Sequence, residues 1–442
     1  MNYIKAIFIF ILFCFPITAS AEKVKEYRLD NGLKVLIIEE HKAPVATFQV
    51  WYRVGSRNEP AGKSGLSHLL EHMMFKGTSK YGPAELSRIV QKNGGIDNAY
   101  TTKDYTAYFE LFSSDRFPLS IDLESDRMQN LTIDPKELIS ERSVVMEERR
   151  LRYEDDPQNS LFEEVVAEAF KVHPYHKPVI GWMSEIGSIE RGDLYHYYKT
   201  YYAPDNAVII IVGDVQAEKV IEKVKESFGE IPAGPARKSI TSKEPEQRGE
   251  KRVVLKREAE LPYIILAYHV PSFPHEDSYA LDVLSMVLSS GKSSRLYRSL
   301  VYEQKIALSA SADYSDFNKD PYLFFFSATA APGININEVE KALYAQVEKI
   351  STDFPSEREV QKAKNQIESS FIMGQDSIYL QAMKYGIFEM LGDWKFIERY
   401  LEGIRNVKVE DIVRVARTYL TENNRTVGIL IPTKKPGMKS DT

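Results

Sequence analysis

The sequence predicts an α+β protein that consists of two duplicated domains. Its 442 residues are too many for one hydrophobic core, which suggests two. Lys-Thr-Tyr-Tyr at 199–202, followed by Asn206 and an Ile/Val strand, matches Arg-Thr-Tyr-Leu at 417–420, followed by Asn424 and a Val/Ile strand. The offset of 218 residues is too long for a solenoid repeat and indicates duplication of a whole domain.

Turn and cap residues divide the first half into strands and helices. Gly94-Gly95 ends one helix, Asp134-Pro135 begins another, and Asp155-Asp156-Pro157 ends that one. In order, the patterns predict strands at 27–40 and 45–55 joined by a turn at Ala43-Pro44, helices at 66–76 and 83–93, a strand at 100–112, helices at 117–130 and 134–154, and a buried strand at 208–212.

A linker at 232–251 separates the two halves, because it holds three prolines and two glycines among charged residues. Beyond it, two strands within 252–268 and a helix at 275–288 repeat the order of the first half. We therefore expect a first domain at 22–231, a second domain at 252–434 and a tail at 435–442.

The N-terminus is typical of a secretory signal peptide at 1–21. Lys5 is its only charged residue, residues 6–17 are almost continuously apolar, and Ala19-Ser20-Ala21 forms a cleavage site. An uncleaved anchor is the alternative. We expect an exported, periplasmic protein with no membrane span after cleavage. The only cysteine, Cys14, would leave with the signal peptide. The formal net charge is −6 and no basic stripe occurs, which argues against a nucleic-acid partner.

His68-Leu-Leu-Glu71-His72 is the most specific motif of the chain. The two histidines are four residues apart, so on the predicted helix they lie one turn apart on the same face. Glu71 flanks that face, where it can reach a water molecule on a metal without binding the metal itself. H-x-x-E-H is the inverzincin signature of zinc peptidases. The motif therefore predicts one zinc ion per chain, bound by His68 and His72, with Glu71 as the catalytic base.

A catalytic zinc usually takes three protein ligands, so a third group must come from elsewhere. Glu141, Glu147 and Glu148 on the 134–154 helix are the candidates. Glu141 and Glu148 are seven residues apart and share a face, whereas Glu147 points about a hundred degrees away from Glu148.

With this motif and helix, the chain resembles the pitrilysin-type (M16) zinc peptidases, particularly short bacterial members akin to the mitochondrial processing peptidase β subunit. Further matching segments are Gly-Gly-Ile-Asp-Asn-Ala-Tyr-Thr at 94–101, Tyr-Ala-Pro-Asp-Asn at 202–206 and Ser-Gly-Lys-Ser-Ser-Arg-Leu-Tyr at 290–297. The resemblance implies a mostly antiparallel sheet covered by helices in each domain. It also implies Glu148 as the third ligand, Glu141 as a supporting glutamate that does not bind the metal, and Asn98 and Ala99 as residues that hold an extended peptide substrate by strand pairing.

The second half departs from the family pattern at two positions. Self-sufficient members carry an Arg and a Tyr, seven residues apart, that contact the substrate near the zinc; the matching positions here are Val301 and Leu308. The resemblance therefore implies a heterodimer in which a homologous chain supplies the Arg/Tyr pair. A homodimer that is active alone, and a non-catalytic peptide-binding or structural subunit, are the alternatives.

Overall fold

The computed structural model describes residues 24–315 and 317–433. The predicted signal peptide and the predicted tail lie outside these residues. The strands are β1 Lys25–Arg28, β2 Lys34–Glu39, β3 Val45–Tyr52, β4 Ile96–Thr101, β5 Thr106–Ser113, β6 Ala207–Gly213, β7 Lys251–Glu258, β8 Tyr263–Val270, β9 Ala307–Tyr314, β10 Tyr322–Ala330 and β11 Arg425–Thr433. The helices are α1 Leu66–Met73, α2 Glu85–Lys92, α3 Pro118–Asn130, α4 Pro135–Arg149, α5 Pro157–Ala169, α6 Met183–Gly187, α7 Arg191–Tyr201, α8 Ala217–Phe228, α9 Asp277–Ser289, α10 Ile336–Thr352, α11 Glu357–Met373, α12 Ile378–Leu391, α13 Phe396–Asn406 and α14 Val409–Tyr419.

Each half contains one sheet, and the two sheets have the same topology. The strand order is β1-β2-β6-β3-β5-β4 in the first half and β7-β11-β8-β10-β9 in the second. β2 with β6 and β7 with β11 are parallel pairs, and the other neighbours are antiparallel. Apart from β1, every strand of the first sheet has a counterpart at the same place in the second. The predicted α+β class, with duplicated and mostly antiparallel sheets, is confirmed.

Three details of the strand prediction were wrong. The predicted strand 27–40 is two strands, β1 and β2, because the chain turns at Gly32, whose φ of 91° suits glycine. The predicted strand 100–112 is the β4–β5 hairpin, which turns at 102–105. β2 and β3 are not neighbours, since β6 from much later in the chain lies between them.

One face of each sheet is covered by helices of its own half, and the other face by a helix of the opposite half. α12 packs on β3 and β6 of the first sheet, while α5 packs on β7, β8 and β11 of the second. The first of these contacts buries Trp51, Val208 and Ile210 against Ala382 and Met390. The second buries Leu161 and Val165 against Ile265, Ala267 and Leu430. Each half thus supplies one helix that covers the sheet of the other half, and we call α5 and α12 the exchanged helices.

Close backbone approach accompanies both exchanged helices. A Cβ atom added to Gly386 of α12 would lie 2.1 Å from the Trp51 ring, and one added to Gly428 of β11 would lie 2.2 Å from Val165 of α5. Glu389 of α12 is buried, and its carboxylate binds Lys34 Nζ at 2.9 Å and Arg53 Nη2 at 2.7 Å. Within the described ranges, no helix has both the length and the apolar character that a bilayer span requires.

Candidate metal centre

The motif helix α1 is fixed by its buried side and by a carboxylate at its N-terminus. Leu66, Leu69, Leu70 and Met73 are buried in the first core. Glu59 accepts hydrogen bonds from Gly65 N–H at 2.9 Å and Ser67 N–H at 2.7 Å. These are amide groups that no residue of the helix itself can satisfy. Burial raises the pKa of Glu59 to about 8, against the opposing effect of these two hydrogen bonds. The helix that carries both histidines therefore begins at a defined place.

Helix α4 brings the two glutamates to the histidines. Asp134 accepts hydrogen bonds from the N–H groups of the first turn, with Pro135 at the first helical position. α4 packs against α1. Because Glu141 and Glu148 are two turns apart on one face, both reach α1. Glu147 instead forms an exposed ion pair with Arg150, so its side chain points elsewhere.

His68, His72 and Glu148 converge on one point. Glu148 Oε2 lies 3.8 Å from His68 Nε2 and 3.4 Å from His72 Nε2. One ligand atom from each of the three residues falls within 4.8 Å of the others. Tetrahedral zinc with bonds of about 2.0–2.1 Å separates its ligand atoms by roughly 3.3–3.4 Å. Two imidazoles and one carboxylate are also a donor set of catalytic zinc sites, so the residues present fit this ion.

Glu141 holds His72 from the side away from Glu148. Its Oε1 lies 2.8 Å from His72 Nδ1 and its Oε2 lies 2.6 Å from Lys76 Nζ. Burial alone would lower the pKa of His72, but the hydrogen bonds with Glu141 and Glu148 raise it to about 9. Burial and the neighbouring His72 lower the pKa of His68 to about 4. With Nδ1 engaged by Glu141, Nε2 of His72 is the nitrogen left to bind a metal.

Glu71 lies next to this group and is nearly buried. Its Oε2 accepts a hydrogen bond from the Thr101 hydroxyl at 2.5 Å. Burial raises the pKa of Glu71, and the Thr101 hydroxyl opposes this rise. A carboxylate whose pKa moves toward neutrality is better matched to proton transfer near pH 7.

Asn98 and Ala99 lie on β4, at the edge of the first sheet. β4 pairs with β5 on one side, and no other strand in the described part of the chain pairs with its second side. The Ala99 N–H donates to Asn98 Oδ1 at 2.9 Å, and the Asn98 side chain is exposed. The strand also leads directly to Thr101, the residue that contacts Glu71. β4 is thus the edge strand of the first sheet, the type of strand to which an extended peptide can add.

Val301 and Leu308, where the sequence departs from the family's Arg/Tyr pair, lie against the core of the second half and on its surface, respectively. Val301 packs against the second core, in a π-helical turn that spans Tyr297–Glu303. Leu308 on β9 is half exposed. An arginine and a tyrosine, Arg298 and Tyr302, lie near these positions in the sequence. Arg298 pairs with Glu303 at 2.7 Å, and Tyr302 is largely exposed.

Three polar contacts of the site were not predicted. Arg152 follows Glu148 by four residues, so helical spacing alone could have suggested that contact. Arg152 Nη2 lies 2.9 Å from Glu148 Oε1. Lys76 binds Glu141, which lies on a helix much later in the chain, so no local spacing indicates that contact. Thr101 likewise has no local signal, because its contact with Glu71 joins a strand to a helix 30 residues earlier.

Comparisons with known proteins identify the family of the chain. The family model described as Insulinase (Peptidase family M16) matches residues 34–182, and the one described as Peptidase M16 inactive domain matches residues 188–367. The chain belongs to peptidase family M16. The inactive-domain match begins within the first half and extends into the second, where the H-x-x-E-H motif does not recur.

Named relatives within family M16 extend over nearly the whole chain. The Helicobacter pylori protein named zinc protease PqqE is 34% identical over 415 residues, which are 93% of this chain and 93% of that protein. A crystal structure of a protease from Helicobacter pylori, also 34% identical, has a TM-score of 0.89 and covers 93% of this chain and 100% of that one. The probable β subunit of the Arabidopsis thaliana mitochondrial-processing peptidase is 28% identical over 368 residues, or 81% of this chain and 68% of that protein.

Proposed function

We propose that this M16 chain is an exported zinc metalloendopeptidase that hydrolyses extended or unstructured peptides. The observation that carries the proposal is the convergence of His68, His72 and Glu148 within 4.8 Å, beside the carboxylate of Glu71. A relative that is 34% identical bears the name zinc protease, which supports the same chemistry.

Each site residue has a distinct role in this mechanism. His68, His72 and Glu148 would hold one zinc ion per chain, and Glu141 orients the His72 ring through Nδ1. Zinc bound there would act as a Lewis acid that acidifies water and polarises a carbonyl oxygen. Glu71 takes the proton from the attacking water and later delivers it to the leaving amine.

The open edge of β4 would hold the substrate. A peptide that pairs with Asn98 and Ala99 lies as an added strand, and its hydrogen bonds read backbone more than side chain. Only an extended segment can add to a sheet edge in this way, which is why we propose unstructured peptides as the substrate class.

Metal analysis combined with Glu71→Gln tests the proposal. We expect one zinc per chain in both proteins and a decrease in peptide hydrolysis of about a thousandfold in the variant, because general-base catalysis typically contributes 10²–10⁴-fold. Glu147→Gln is the matched control, since Glu147 is an exposed α4 glutamate paired with Arg150, and it should keep full activity. Unchanged hydrolysis in Glu71→Gln would exclude Glu71 as the base. Wild-type protein that binds peptides, binds no zinc and does not hydrolyse the peptides would favour the non-catalytic alternative.

We also propose that a homologous chain completes the enzyme. Val301 and Leu308 cannot donate the hydrogen bonds that the family's Arg/Tyr pair makes, so a partner would supply them. Zinc-loaded chain, purified alone, should therefore cleave an unstructured peptide far more slowly than after co-purification with its partner from the native host. Full activity of the single chain would instead favour the homodimer.

The remaining parts of the proposal concern export and domain limits. Removal of residues 1–21 and a periplasmic location would give a mature N-terminus at Glu22, which N-terminal sequencing of the native protein tests. The domain limits at 22–231 and 252–434, with a linker between them, stand as our proposed division.

A further inference from the structure

The hydroxyl of Thr101 joins the predicted base to the predicted substrate strand. Thr101 is the last residue of β4, and its Oγ1 donates to Glu71 Oε2 at 2.5 Å. Glu71 lies on α1, so this bond crosses from a strand to a helix. The Glu71 carboxylate is therefore held by a hydrogen bond to one of its oxygen atoms and not by packing alone.

Strand pairing holds the backbone that carries this hydroxyl. Thr101 pairs with the fully buried Thr106 across the β4–β5 hairpin, and Thr106 Oγ1 donates to Val54 O at 2.9 Å. Thr101 Oγ1 also lies 3.4 Å from Thr106 Oγ1, a contact without a hydrogen bond, because the two hydroxyl hydrogens are donated to Glu71 and to Val54. The β4–β5 pairing therefore determines where the Thr101 hydroxyl lies.

We propose that Thr101 is a positioning residue that fixes the orientation of the Glu71 carboxylate. A glutamate side chain rotates about three bonds, and a base must lie within hydrogen-bond reach of the proton that it removes. The hydroxyl occupies Oε2 as a donor and leaves the other lone pairs of the carboxylate free to accept a proton. This inference rests on the proposed function, because it assigns a role relative to Glu71 as base.

The test compares Thr101→Val with Thr101→Ser. Valine keeps the shape and removes the hydroxyl, whereas serine keeps the hydroxyl. We expect Thr101→Val to lower kcat by about 10–100-fold, the effect of losing one hydrogen bond to a charged group, with KM within about twofold and zinc content unchanged. Thr101→Ser should restore kcat to within about threefold of the wild type. Thr47→Val is the matched control: Thr47 is buried in the same sheet and donates one hydrogen bond, to Glu110 O at 2.9 Å, and it should keep wild-type kcat.

Two kinetic results would overturn the inference. One is wild-type kcat in Thr101→Val, and the other is a raised KM with unchanged kcat, which would make Thr101 a substrate-binding residue only. If the wild-type protein hydrolyses no peptide even when co-purified with its partner, the proposed function fails, and crystal structures of zinc-loaded wild type and Thr101→Val still decide this inference. A Glu71 carboxylate that turns away in the variant supports it, and one that stays in place overturns it.

Discussion

The two halves share an architecture but differ around one helix pair. In the first half α1 packs against α4 and carries His68 and His72; at the corresponding place in the second half, α9 packs against α11. Between the exchanged helix and the helix that precedes β6 or β11 lies α6 of five residues in the first half and α13 of eleven in the second. α13 packs on both α9 and α11, and its Tyr400 donates to the partly buried Asp282 of α9. In the first half α6 packs against α4, whereas α13 packs against both helices of its pair, so one helix covers the second pair where two different helices contact the first.

Removal of a zinc ligand from the first half should cause the largest loss of peptide hydrolysis. His72→Ala should lose zinc and lower peptide hydrolysis by about a thousandfold or more, because both the Lewis acid and its geometry disappear. Asp282→Asn makes the comparison in the second half: it should keep one zinc per chain while lowering thermal stability. The two proteins are compared by metal analysis, peptide assay and thermal unfolding. Zinc loss in Asp282→Asn would show that the halves are not separable in this way.

Substitutions at the exchanged helices test whether the halves stabilise each other. Gly386→Ala and Gly428→Ala should each lower the free energy of unfolding by about 1–3 kcal/mol, because the added methyl group overlaps Trp51 or Val165. Gly192→Ala in α7 is the control, since a Cβ there meets no atom within 4 Å, and it should be neutral or slightly stabilising.

Denaturant unfolding followed by two probes measures these effects. Tryptophan fluorescence reports on Trp51, Trp182 and Trp394, of which Trp51 and Trp394 lie in the contact between α12 and the first sheet, and far-UV circular dichroism reports on the whole chain. Coincident single transitions are expected for all three variants. Separate transitions, or stability unchanged in both interface variants, would contradict the reciprocal packing.

The N-termini of α1 and α9 differ in their acceptor groups, and this difference should have a smaller, pH-dependent effect on the free energy of unfolding. A carboxylate, Glu59, binds the start of α1, whereas at the start of α9 the acceptor is an imidazole, His275 Nδ1, which accepts from Asp277 N–H at 3.1 Å. Burial raises the pKa of Glu59 from 4.5 to about 8, so between these values the folded state retains a proton that the unfolded chain has released. The free energy of unfolding should therefore fall as the pH rises through this window, by about 2 kcal/mol between pH 6 and pH 8. Glu59→Gln cannot titrate, so denaturant titrations of the variant should lack this decrease; an identical pH dependence in both proteins would argue against it.

The parts of the site that were predictable from the sequence are the local ones. His68, Glu71 and His72 are spaced by a single helical turn, and the face of α4 that carries Glu141 and Glu148 follows from the same periodicity. The resemblance to family M16 distinguished the roles of these two glutamates, which periodicity left open. Thr101 was not predictable, since its partner lies on another element.

The fold shows the same division between local and long-range information. The turn at Asp30-Asn31-Gly32 carries a hairpin signal, yet the continuous apolar pattern on either side suggested one strand. The insertion of β6 between β2 and β3 joins segments about 170 residues apart, which no local pattern encodes. An apolar helix face such as that of α5 predicts burial but does not identify the opposing sheet.

The placement of α12 has a consequence for synthesis of the chain. The face of the first sheet that contains Trp51 and Val208 is complete once β6 has been made, but its cover arrives with residues 378–391. Until then a nascent chain presents an apolar sheet face to water, the kind of surface that favours aggregation. A fragment that ends at residue 231 should therefore accumulate in inclusion bodies, and co-expression of the second half should bring it into solution.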